Sequence, residues 1–175
     1  MTSTYCWDAT LLIHAERAER LDSLGTYLPA VRHVVCDVVV AELCGTPLPE
    51  WLEKVAMDDV DTLRAFVRWQ GVVGTSGGKN AGEAAVLAWS EMHDAVAIID
   101  DRSARFAART RGARVHGSLW ALAQGINAGR SPAHVTGNFC DALLDTGIRW
   151  PFVRGGFPDW ADEQPGLLTP DDRGS

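Results

Sequence analysis

Apolar and polar positions along this chain alternate between two periods. Thr4-Tyr5-Cys6-Trp7-Asp8 is a short apolar-rich run ending in an acid, the pattern of a strand. Ala9 to Arg20 then takes helical spacing, with Leu12, Ile13 and Ala15 inward and Glu16, Arg17, Glu19 and Arg20 outward. A second strand is expected near His33 to Cys36, followed by a short helix from Val38 to Leu43 that Asp37 can cap and Gly45 and Pro47 stop. Leu48 to Gln70 reads as mostly helical. Gly71 to Lys79 reads as a glycine-rich connection with a short strand at Val72-Val73. Helix resumes from Ala81 to about Met92. Ala95 to Ile99 is the clearest buried strand, and it runs straight into Asp100-Asp101. A helix from Ser103 to Arg111, a strand around Ala113 to His116, and helices at Ser118 to Ala128 and Pro132 to Asp145 follow. Strands alternating with helices predict an α/β fold with a short, mostly parallel sheet between helical layers.

From Trp150 onward periodicity fades, and Pro, Gly and Asp become frequent. A length of 175 residues suits one domain over residues 1–149 and an extension over 150–175, partly disordered from Gly166. Apolar residues at 46% and charged residues at 22% are ordinary globular proportions. The four cysteines, Cys6, Cys36, Cys44 and Cys140, include no C-x-x-C pair, and Cys6 and Cys36 sit in apolar runs as small core residues. The opening residues lack a basic-then-apolar leader and no stretch is long enough for a membrane span, so the expectation is a cytoplasmic protein without a membrane partner. Net charge is −7. A polyanionic substrate must therefore be held by a local cationic patch or by metal ions, since a broad basic face is excluded.

The candidate chemistry lies in acids at strand ends. Ligands of open parallel sheets bind outside the carboxyl ends of the strands, where Asp8 and the pair Asp100-Asp101 stand. Charges at the rim of a core lose hydration and repel one another, and a divalent cation relieves that cost. The alternative for each is a helix cap: Asp101 can cap the helix that starts near Ser103. Glu42 is the lone acid in the apolar run Val38 to Leu43, which a solvated face explains poorly. Glu83 has a specific structural alternative, because Asn80 followed three residues later by Glu83 resembles a capping box.

Together these motifs resemble the PIN domain family of nucleases. The resemblance is carried by Trp7-Asp8-Ala9-Thr10-Leu11-Leu12, Val40-Ala41-Glu42-Leu43, Ala81-Gly82-Glu83-Ala84-Ala85 and Ile99-Asp100-Asp101-Arg102-Ser103-Ala104-Arg105. Val115-His116-Gly117-Ser118-Leu119 is similar to the strand, glycine and helix that follow the acid pair in one branch, the VapC-like ribonucleases. The resemblance spans Thr4 to Gly147. It implies a three-layer α/β/α fold and an acidic pocket for Mg²⁺ or Mn²⁺. By motif position Asp8, Glu42, Glu83 and Asp101 are the implied catalytic acids, with Asp8, Asp101, Glu83 and Asp100 as the implied metal-holding set. Thr10 matches the hydroxyl that follows the first acid. Where many members carry Asp, this chain carries Glu83, a form found in the branch it resembles. Many relatives are ribonuclease toxins paired with an antitoxin protein, and homodimers are common among them.

RNA also needs cationic contacts. Arg102, Arg105 and Arg109 recur at helical spacing after the acid pair and are candidate phosphate grips; a solvated helix face is the alternative. Lys79 is a second candidate. Gly74 to Asn80 has the wrong spacing for a phosphate-binding loop, and the five histidines show no zinc spacing. The expected activity is metal-dependent hydrolysis of RNA phosphodiesters. A PIN-like module that binds RNA or protein without cutting, and a haloacid-dehalogenase-type phosphatase with Asp8 as nucleophile, are the alternatives. The latter lacks a second Asp two residues on, where Thr10 stands, and leaves Glu42 and Glu83 without a role.

Overall fold

The computed structural model describes residues 3–74 and 80–169. Its contacts divide the chain into two compact units, Met1–Ile13 with Val31–Ser118 and His14–Ala30 with Leu119–Ser175.

The first unit is built on five strands: β1 (Thr4–Trp7), β2 (Arg32–Cys36), β3 (Glu53–Val55), β4 (Val96–Ile98) and β5 (Val115–His116). They pair in the order β3-β2-β1-β4-β5. All four pairings are parallel, with Cys6 level with Val34 on one side and Ala97 on the other. A parallel sheet is covered on both faces, so its strands read as apolar runs. Accordingly Cys6, Trp7, Val34, Val35, Cys36, Ala97 and Ile99 are all buried. The α/β class and the parallel sheet expected from the alternation are what the chain forms.

The unit's helices are α3 (Asp37–Glu42), α4 (Val60–Val73), α5 (Ala81–Met92) and α6 (Arg102–Arg109); α1 (Ala9–Arg17) begins in it and α7 (Ser118–Asn127) starts at its last residue. Helix α5 is buried at every position from Ala84 to Ser90 and packs on β1, β2 and β4 as well as on α3 and α4. A helix that is apolar on all sides is an interior element.

The stretch from Leu48 to Gln70 departs from the expected helix. Residues Glu53–Val55 form the edge strand β3, and α4 starts only at Val60, capped by the Asp59 carboxylate, which accepts from Thr62 N–H at 2.8 Å. A three-residue strand with two exposed side chains carries no period of its own; its pairing with β2 creates it. Val72-Val73, expected as a strand, is the end of α4. That helix continues to Gly74, whose φ of 74° terminates it in a conformation that only glycine adopts without strain.

The second unit holds α2 (Leu21–Leu24), a 3-10 turn (Gly25–Tyr27), α8 (Ala133–Leu144), α9 (Phe157–Glu163) and the remainder of α1 and α7. Here α7 passes so close to the 3-10 turn that a Cβ on Gly125 would lie 1.8 Å from the Tyr27 carbonyl oxygen. Helix α9 falls where the sequence loses its period. Two turns are too short to display one, yet Phe157 and Ala161 are buried and α9 packs on α8. Among the described residues no helix is long and apolar enough to cross a membrane.

Candidate functional site

The strand order reverses at β1. The chain runs outward from β1 through β2 to β3, then returns to β4 on the other side. At such a switch point the connections leave in opposite directions and open a crevice beyond the strand ends. Because β1 and β4 are parallel, Asp8, which follows β1, and Asp100-Asp101, which follow β4, come to the same rim.

Asp8 is 6% exposed. Burial, and then the charge of Glu83, pushes its carboxyl up to about 6 from the ordinary 3.8. Thr10 opposes this: its Oγ1 donates to Asp8 Oδ2 at 2.9 Å and its N–H to the same oxygen at 3.3 Å. Glu42 ends α3. Its carboxyl is also raised, first by desolvation and then by Asp8, while the nearby Gly82 amide holds it down. Glu83, in the first turn of α5, is raised by burial and by the charges of Glu42 and Asp101, against its own backbone N–H. Asp101 caps α6, accepting from Ala104 N–H at 2.7 Å through Oδ1. The four expected acids are thus brought to one place from four elements, each raised carboxyl feeling another member's charge.

They are coupled charges and not a finished ligand shell. Among the described residues, no three His, Cys, Asp or Glu side chains are grouped so as to hold an ion as they stand.

Two structural alternatives resolve in opposite ways. The capping box at Asn80 and Glu83 is not formed: Asn80 takes φ 62°, makes no side-chain cap, and donates through Nδ2 to the carbonyls of Val73 and Gly74. The cap at Asp101 is formed, but it occupies only one carboxylate oxygen.

Asp100 faces elsewhere. Its two oxygens accept from Ser118 N–H and Ser118 Oγ, both at 2.8 Å, and Arg105 Nη1 stands 4.0 Å away. Asp100 therefore ties the end of β4 to the start of α7. Of the arginine stripe, Arg105 Nη1 donates to the Ile99 carbonyl at 2.7 Å, and Arg109 donates to the Val115 carbonyl through Nε and Nη2. Neither is a simple solvated face; both are anchored at strand ends. Arg102, beside Asp101, is exposed. Lys79 lies outside the described residues.

Reasoning from residue type passed over Gly82 and Ser118. A Cβ on Gly82 would lie 2.7 Å from Glu42 Oε1 and 3.3 Å from Asp8 Oδ1. The signal was present in the sequence, as a glycine in the first turn of a helix, where it costs stability unless a close approach requires it. Ser118 is fully buried, and a hydroxyl sealed from water needs a partner, here Asp100. A cavity of about 460 Å³ lies among α4, α5 and the starts of β4 and β5, lined by Trp69, Leu87, Ala95 and Ala113; none of the four acids lines it.

The DUF3368 family model, described as a PIN domain, matches residues 4–151. No curated protein matches the chain significantly.

Proposed function

We propose, since this chain belongs to the PIN domain family, that it is a divalent-metal-dependent endoribonuclease whose site is Asp8, Glu42, Glu83 and Asp101. The observation that carries the reading is the Asp8 carboxyl. It is buried at the rim of β1, raised to about 6, and placed among acids from three other elements. So much negative charge in a partly desolvated place is costly to ionise, and a cation offsets that cost.

The residues fit Mg²⁺ or Mn²⁺. The donors are hard carboxylate oxygens, with no thiol or imidazole among the four acids, and the side chain absent from Gly82 lets two of them approach its backbone closely. Asp8 and Asp101 would hold the ion, each with one oxygen already fixed by Thr10 or Ala104 and the other free. When bound, the ion supplies Lewis acidity for phosphodiester hydrolysis. Glu42 and Glu83 are suited to orienting water, because their raised carboxyls place proton acceptance at the carboxylate oxygens nearer neutral pH. Asp100, fixed by Ser118, supports the rim. Thr10 keeps Asp8 oriented, and exposed Arg102 gives the phosphate backbone a cation next to Asp101.

A toxin role, with an antitoxin partner, a homodimeric state and a cytoplasmic setting, belongs to the same proposal. It predicts growth arrest on expression that an Asp8→Asn variant does not cause.

The direct test is incubation of the purified chain with a mixed RNA pool in Mn²⁺, Mg²⁺ or EDTA. Cleavage in either metal, absent in EDTA and absent in Asp8→Asn, is the expected result. Tight RNA binding without turnover in any divalent metal would overturn it in favour of a binding module. The phosphatase alternative has no observation in its favour, and a trapped acyl-phosphate on Asp8 would be its signature.

A further inference from the structure

We infer that Gly82 is the positioning residue of the carboxylate site: its missing side chain is what lets Glu42 meet Asp8 against the start of α5. The metal-binding part of this inference rests on the reading above.

Two observations lead to it. The first is steric. A Cβ at position 82 would lie 2.7 Å from Glu42 Oε1, 3.3 Å from Glu42 Cδ and 3.3 Å from Asp8 Oδ1. Real Cβ contacts do not reach the shortest of these, so any other residue at 82 must displace a carboxylate. Glu42 Oε1 and Asp8 Oδ1 are consequently no farther apart than those two approaches added together. Asp8 is buried and held by two bonds from Thr10. Glu42 stands on an exposed helix end with three rotatable bonds. Glu42 is the group that would move.

The second observation concerns the helix start. The first N–H groups of a helix have no partner within it. Local side chains usually supply one, but Asn80 spends its side-chain amide on the carbonyls of Val73 and Gly74. The Gly82 amide instead lies beside Glu42, a residue forty positions earlier in the chain, and eases its charge. The positive end of the helix dipole favours a carboxylate there. Only glycine lets the carboxylate come this close to the backbone.

The consequence separates fold from function. Gly→Ala inside a helix ordinarily stabilises, through backbone entropy. At position 82 the obstacle is the tip of a flexible, exposed side chain, which can swing into water. Gly82→Ala is therefore expected to fold with its Tm held or raised by up to about 2 °C. Its Mn²⁺ affinity is expected to fall by about 10- to 100-fold, the range for groups that orient metal ligands.

The experiment titrates Mn²⁺ into wild type, Gly82→Ala, Glu42→Asp and the double variant, by calorimetry and by the electron paramagnetic resonance of free Mn²⁺, with melts in EDTA alongside. Glu42→Asp withdraws the carboxylate by one methylene. The double variant is therefore expected to bind Mn²⁺ several-fold better than Gly82→Ala alone. Gly71→Ala in α4, where a Cβ meets nothing within 4 Å, is the control and is expected to leave Mn²⁺ affinity unchanged.

Equal Mn²⁺ affinity in wild type and Gly82→Ala overturns the inference. If Gly82→Ala alone does not fold, the double variant must restore folding, since the clash is with Glu42; failure to do so also overturns it. If wild type itself binds no Mn²⁺, the metal-dependent reading fails. The Gly82 inference is then decided by the melts in EDTA: non-additive Tm changes at 82 and 42 support it, and additive ones overturn it.

Discussion

Asp8→Asn should make this protein more stable while removing its proposed activity. Folding takes the Asp8 carboxyl from 3.8 to about 6, so the folded chain prefers the neutral acid. A group raised in this way binds its proton more tightly when folded, and stability falls as pH rises between the two values. The penalty is absent below about pH 4 and fully developed above about pH 7. At about 1.4 kcal/mol per unit it amounts to about 3 kcal/mol, and with Asp8 only 6% exposed solvent screening does little to reduce it. Asparagine removes the charge and keeps the shape. Its Oδ1 can accept both bonds from Thr10, and its amide then faces the Glu42 carboxylate, where a donor is welcome. For a chain of this length about 3 kcal/mol corresponds to a Tm gain of about 6–12 °C. The assay is thermal unfolding of wild type and variant in EDTA at intervals from pH 4 to pH 8. The difference should grow from near zero at the acid end to its full size by pH 8, because terms shared by the two proteins cancel. A difference that is flat across the range, or a variant less stable than wild type at pH 8, would refute the reasoning.

Three further outcomes follow from the same geometry. Ser118→Ala leaves Asp100 Oδ2 without its hydroxyl donor and should cost about 1–3 kcal/mol of stability by denaturant titration. Arg102→Ala should leave Tm within about 1 °C, since the side chain is exposed, and should weaken RNA binding with a shallower salt dependence in a fluorescence-anisotropy titration; unchanged affinity across salt would remove Arg102 from the substrate path. Gly125→Ala sets a Cβ against the Tyr27 carbonyl at 1.8 Å, backbone against backbone with nothing flexible to yield, and should lower Tm by about 10 °C or more.

The parallel sheet and its helices were legible because burial on both faces leaves an unbroken apolar signature, as in Ala95 to Ile99, and because α5 shows its full length from Ala81 to Met92. Elements made by pairing or docking were not. Strand β3 is three residues long with two of them exposed, so only β2 gives it identity, and α9 reveals its inward face only against α8. At the site, residue type pointed to Asp8, Glu42, Glu83 and Asp101, and the chain folds them toward one rim. The direction in which a side chain points was not readable. Asn80 had the right spacing to cap α5 but turns back to the end of α4. Of two adjacent acids, Asp101 belongs electrostatically to the quartet, whereas Asp100 is tied to Ser118, eighteen positions later. Arg105 and Arg109 likewise look free in sequence but are committed to carbonyls at the ends of β4 and β5.

How the fold tolerates so many acids at one rim follows from what each is bonded to. Asp8 receives Thr10, Asp101 the Ala104 N–H, and Asp100 both donors of Ser118, while Glu42 and Glu83 have their charge eased by the first-turn amides of α5. Most of these groups are backbone amides at the starts of α1, α5, α6 and α7, the positions where a helix has amides to spare and a partial positive charge. Placing the acids just beyond parallel strands and just before helices therefore satisfies helix termini and disperses repulsion with the same bonds. Asp100 gives both oxygens to this purpose, and it is the acid that stands apart. Asp8 and Asp101 each give one oxygen and retain another. The division between an acid that fastens the rim and acids left able to bind something else is thus set by how many local donors reach each carboxylate.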